Sequence, residues 1–261
     1  MLSRILPISL PPPERLIVLA SLAAITLLAW LYLLGMARDM TAAADMGNMP
    51  GMAMDDMAMS PAVGSFPMAA TMWAVMMAGM MIPSATPMIL LYTTVQRKQG
   101  KHPVLMSGLF LAGYLFVWGG FAMAVASLQI LAVRAALLSP SLSLVSTSVT
   151  GVSFLLAAAY EFSPLKNYCL RRCSGPLAFI TRHWRPGAKG AISMGALHGG
   201  FCVGCCWMLM LLLFAAGVMN LFWVAALSVL VLLQKVVPAG RWTTNLTGVA
   251  MLMTGLVLLV R

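Results

Sequence analysis

Carboxylates are scarce in this chain. Its 261 residues hold only six Asp and Glu, namely Glu14, Asp39, Asp45, Asp55, Asp56 and Glu161. With none after Glu161, hydrolysis by paired carboxylates and oxygen cages for hard cations are disfavoured over the C-terminal part. Charge of either sign is rare, at 8% of residues against roughly a quarter in soluble domains. No nucleotide-binding glycine loop occurs, so ATP-driven transport would need a partner. Five cysteines, an odd number, cannot all pair within one chain.

What is present is apolar. Hydrophobic residues make up 61%, with mean hydropathy +0.94, the composition of an integral membrane protein. The net charge of +10 reads as topology rather than nucleic-acid binding. The fold class is an all-α, polytopic membrane helix bundle of about seven helices, embedded in a lipid bilayer. Apolar runs place them near 16–36, 66–94, 104–133, 144–162, 191–216, 221–237 and 243–260. The first run is long, and Leu33–Arg38 makes a poor cleavage site, so it reads as a retained helix. With the N-terminus cytoplasmic, only Arg38, Arg134 and Arg261 of the 16 Lys and Arg fall outside, which favours that orientation.

The chain divides into an N-terminal segment with the first helix (1–36), a Met-rich loop (37–66) and a six-helix membrane domain (67–261). Between Met40 and Met59 the loop holds seven methionines and no Leu, Ile, Val or aromatic residue. Thioethers select Cu(I), whose bonds depend on softness rather than charge. The loop is read either as a copper-catching segment or as a low-complexity linker. On the second helix, Met72, Met76 and Met80 form one row and Met77 and Met81 the adjacent one. They serve as an adaptable packing face or as a thioether relay. Pro83 and Pro87 should loosen this helix, and Gly108, Gly113, Gly119 and Gly120 should let the third helix approach a neighbour closely.

The densest chemistry is Gly195–Met210, where His198, Cys202, Cys205, Cys206 and Met210 fall in one apolar helix. His198, Cys202 and Cys205 lie within roughly 60° of one another on the helical wheel. Counted from the helix start, the thiols are about 17–22 Å deep, near mid-membrane. Cys169 and Cys173, four apart, share a helical face in the preceding basic segment, on the cytoplasmic side. They form a metal-holding pair, a disulfide or two structural thiols. Glu161 pairs with Lys166 or Arg171 at a helix end, or stands as an intramembrane functional acid.

These donors suit a soft metal, Cu(I) first and Zn(II) as the runner-up. The path runs from the Met40–Met59 loop through Met76, Met77, Met80 and Met81 to His198, Cys202 and Cys205, with Cys169 and Cys173 receiving the ion inside. The function read from this is soft-metal transport or delivery to cuproenzyme assembly in a bacterial inner membrane, with a metallochaperone or cuproenzyme as partner and no nucleic acid. The alternatives are a membrane thiol–disulfide oxidoreductase and an assembly subunit whose cysteines only pack. No catalytic residue is assigned.

Four segments carry a resemblance. They are Trp73–Pro87, with Met-Met-x-Pro at Met80, Met81 and Pro83; Tyr160–Cys173; His198–Met210, with Cys-x-x-Cys-Cys-Trp at Cys202–Trp207; and Gly217–Asn220. Together they resemble a family of bacterial integral membrane proteins described as predicted metal-binding membrane proteins. The resemblance covers most of the chain after Gly64 and implies metal binding without saying which metal. In that family the sixth helix tends to end Glu-Lys, whereas here it ends Gln234-Lys235. The Met-rich loop looks like an addition in this chain.

Overall fold

A computed structural model describes residues 13–47, 65–100, 102–139, 142–218, 220–236 and 240–260. The elements are α1 (Pro13–Gly47), α2 (Phe66–Lys98), α3 (Pro103–Arg134), α4 (Thr147–Glu161), α5 (Pro164–Cys173), α6 (Pro176–His183), α7 (Gly187–Leu211), α8 (Leu213–Ala216), α9 (Leu221–Val236) and α10 (Gly240–Val260). Among the described residues the only β pairing is an isolated bridge between Leu138 and Leu144. The fold is all-α.

Local chemistry sets several helix starts. Proline occupies the first turn of α2, α3, α5 and α6, where its missing N–H costs nothing. Ser146 and Ser163 cap α4 and α5 by accepting from the Val149 and Lys166 amides at 3.4 and 3.1 Å. α2 continues through Pro83 and Pro87. α1 continues past its membrane-length portion to Gly47, because Thr41-Ala-Ala-Ala-Asp45 is good helix-forming sequence. The side chains of residues 40–47, and the whole of residues 48–64 with Met49, Met52, Met54, Met57 and Met59, lie outside the described residues.

Five helices are long and apolar enough to cross a membrane: Pro13–Asp39, Phe66–Lys98, Pro103–Arg134, Gly187–Ala216 and Trp242–Val260. α9 is apolar but has 16 residues, and α4 has 15, so they measure only about 22–24 Å. Large apolar side chains face outward, Phe116, Phe222, Trp242 and Val260 being more than four-fifths exposed or nearly so.

α7 packs chiefly on α3 and α5. A Cβ on Gly195 would come within 1.9 Å of the Phe110 carbonyl oxygen, and one on Gly113 within 2.1 Å of that of Ile192. The backbones therefore touch, as small residues allow in membrane bundles. Of the four α3 glycines expected to mediate close approach, only Gly113 does so; Gly108, Gly119 and Gly120 face open space. Gly151 of α4 and Gly255 of α10 make a second close crossing. The segment after α4 folds as two short helices: α5 lies along α7 at Phe201–Cys205, and α6 packs on α2 and α5.

Candidate metal centre

The α3–α7 glycine contact brings Tyr114 against Cys202. The Tyr114 hydroxyl lies 3.0 Å from the Cys202 Sγ and donates to the Met81 carbonyl at 3.2 Å, tying α2, α3 and α7 at one level. α9 is the fourth helix to contribute. Lys235, 6% exposed, directs its Nζ to the Cys202 Sγ at 2.9 Å, the Ser84 hydroxyl at 3.1 Å and the Met81 thioether at 3.9 Å. An ammonium has three donors, and all three are engaged.

α5 supplies the fifth contribution. Cys173 lies within hydrogen-bonding reach of both Cys202 and Cys205. Cys205 and Cys206 each donate their thiol to the Cys202 carbonyl, at 3.1 and 3.0 Å. Cys169 packs on Gly204, where a Cβ would meet its Sγ at 2.8 Å. All five cysteines are buried and free. The sequence reading set Cys169 and Cys173 apart as an inner station; α5 instead folds back along α7 and merges Cys173 with the helix thiols.

Other expected donors fall nearby. His198, one turn before Cys202, is buried among the rings of Phe110, Tyr114 and Phe179 at centroid distances of 6.0, 5.8 and 5.2 Å. Among the described residues its buried Nδ1 has no hydrogen-bond partner. Met81 is the α2 thioether tied to the thiols through Lys235; Met72, Met76, Met77 and Met80 are buried along α2 toward its N-terminus. Met210 is buried two turns beyond Cys202 on α7. Among the described residues, no three His, Cys, Asp or Glu side chains are posed together to hold an ion. The donor set is instead thiols with one thioether beside a fixed positive charge. Sulfur donors of this kind suit a soft metal.

A second polar group adjoins this centre. Lys166 bonds Glu161 and donates to the Gln234 Oε1 at 2.9 Å. The Gln234 amide nitrogen donates to the Glu161 Oε2 and the Thr247 hydroxyl, both at 3.3 Å. The Glu161–Lys166 pairing was expected from the sequence; Gln234 as its bridge was not. Gln234 and Lys235 are consecutive on α9, so one helix end serves both groups. Both lie at the ends of the short helices α4 and α9, so helices that measure about 22–24 Å terminate level with the thiols.

Lys235, Tyr114 and Ser84 were missed from sequence. Lys235 had been counted with the topology charges, although a lysine inside the apolar final turn of α9 was a visible signal.

No curated protein and no solved structure matches the chain. A family model described as PpoB2, copper chaperone, matches residues 70–258, which include most of α2, all of α3–α9 and nearly all of α10. The chain belongs to the PpoB2 copper chaperone family.

Proposed function

We propose that this chain is a seven-crossing membrane protein with a cytoplasmic N-terminus that holds Cu(I) at Cys202 and passes it to a cuproenzyme or its assembly partner. The observation that carries this reading is the 2.9 Å contact between Lys235 and Cys202. Cu(I) bound by two thiolates leaves a net charge of minus one, which is costly away from water. The Lys235 ammonium brings the cluster to neutrality. Cys173 and Cys205, both in reach of Cys202, supply the second thiolate, and the Met81 thioether is the neutral third donor.

The remaining thiols serve ligand exchange. Cys206 and Cys169 flank the pair, and the partnerless Nδ1 of His198 offers a nitrogen donor one turn away. Met80, Met77, Met76 and Met72 continue along α2 toward the end preceded by the Met40–Met59 stretch, giving a thioether path between the thiols and the far face. The short helices α4 and α9 complete the crossings. Their ends lie level with the thiols, which supports a thiol centre near one membrane face rather than at mid-depth.

The test is copper analysis of the full-length protein purified in detergent after loading with Cu(I) under reducing conditions. Wild type should retain copper stoichiometrically and Cys202→Ser should lose it while keeping its helical content. Equal copper in both, or none in either, overturns the reading. Thiol–disulfide exchange in a copper-free wild type would assign the cysteines to redox chemistry instead.

A further inference from the structure

α5 and α6 enclose a cavity of about 680 Å³ that the copper chemistry does not use. Arg171, Arg172, Arg182 and His183 line it, with Tyr168 and Phe179 beside them, and Arg171 and Arg182 are exposed at its rim. Among the described residues none of these arginines has a carboxylate partner, and the only carboxylate of this region, Glu161, is bonded to Lys166. Three arginines around one concavity, with no carboxylate partner among the described residues, suit an external oxyanion.

Arg172 is also held in orientation. Its guanidinium carbon lies 3.9 Å over the Tyr168 ring and 5.2 Å from the Phe201 ring centroid. Stacking fixes the plane and leaves the N–H edges free for a bidentate oxyanion.

Surroundings decide the source of the anion. Leu165, Tyr168 and Leu177 are 58%, 50% and 67% exposed around the same two helices. Exposed leucines beside arginines mark an element lying at the membrane boundary, apolar side in the acyl region and basic side at the headgroups. α5 begins at Pro164, just past the end of α4 at Glu161, so the outward apolar row Val149, Val152, Leu156 and Phe162 gives way there to a segment that carries Lys166, Arg171 and Arg172. The cavity is thus at headgroup level, and a soluble acidic partner would leave Leu165 and Leu177 without cover.

We propose that this cavity binds the phosphate of an anionic phospholipid headgroup. The bound lipid bridges α5 and α6 and steadies α5, the helix that delivers Cys173 to the thiol centre.

Native mass spectrometry of the full-length protein, titrated with phosphatidylglycerol or phosphatidylcholine, tests this. Wild type should bind phosphatidylglycerol about tenfold more tightly than phosphatidylcholine. Arg171→Gln/Arg182→Gln should lose that preference, while Arg97→Gln/Lys98→Gln, which removes as much charge from the end of α2, should keep it. Equal binding of the two lipids by wild type overturns the proposal without recourse to any variant. So does an unchanged preference in the α5–α6 variant, or displacement of the lipid by equimolar inorganic phosphate, which would assign the cavity to a soluble anion.

Discussion

The Nζ of Lys235 lies 2.9 Å from the Sγ of Cys202, across 33 residues of chain and between two helices, α9 and α7. A buried ammonium is stable only where its charge and its donors are met. Here a sulfur, a hydroxyl and a thioether accept its three hydrogen bonds, and of these only Cys202, as a thiolate, can meet its charge, so the lysine and the soft donors hold one another in place. Removing the charge without removing a sulfur separates the two roles. Lys235→Met should keep the copper stoichiometry but weaken Cu(I) binding by about tenfold or more. Competition with a colorimetric Cu(I) chelator measures it, and unchanged affinity would show that the charge plays no part.

Cys173 should matter nearly as much as Cys202, although the two are far apart in sequence. Cys173→Ser removes a thiol in reach of both Cys202 and Cys205, so bound copper should fall sharply and the sulfur coordination number seen by X-ray absorption should drop. Cys169→Ser should leave copper largely bound, since Cys169 packs against Gly204. A Cys169 effect as large as that of Cys173 would move the centre toward α5.

The long apolar helices of this protein were legible in its sequence because apolar runs are local signals, whereas the short polar helices α5 and α6 were not. The clustering of Cys202, Cys205 and Cys206 was legible for the same reason, since a single helix carries them. The approach of Cys173 and Lys235 to them was not, because it depends on α5 and α9 returning to α7, which no local pattern encodes. Arg171 and Lys166 fit one charge count equally well, yet the first faces a cavity and the second is fully buried against Glu161. Gly113 and Gly108 are likewise indistinguishable as residues; only the opposing Ile192 carbonyl separates them.

Glu161 and Lys166 are both almost wholly buried and bonded to each other, with Gln234 bridging them. Removing one partner strands the other. Lys166→Met should therefore cost about 3–5 kcal/mol of stability, and Lys166→Met/Glu161→Gln should recover most of it. Thermal unfolding in detergent of the single and double variants checks this. If the double variant is as unstable as the single, the loss lies in packing rather than in a stranded carboxylate.

Gly195 and Gly200 sit on the same helix, five residues apart, and make a matched pair. At Gly195 an added methyl meets the Phe110 carbonyl oxygen at 1.9 Å, whereas at Gly200 it meets nothing within 4 Å. Gly195→Ala must push α3 from α7, which should cost about 1–3 kcal/mol and draw Tyr114 away from Cys202. Copper affinity should fall with it, even though no ligand has changed. Gly200→Ala should be neutral or stabilising by up to about 1 kcal/mol, because alanine loses less backbone entropy in a helix. Thermal unfolding and chelator competition on both variants decide the matter: equal stability would mean that α3 and α7 do not touch at Gly195, and unchanged copper affinity in a destabilised Gly195→Ala would mean that Tyr114 does not help position Cys202.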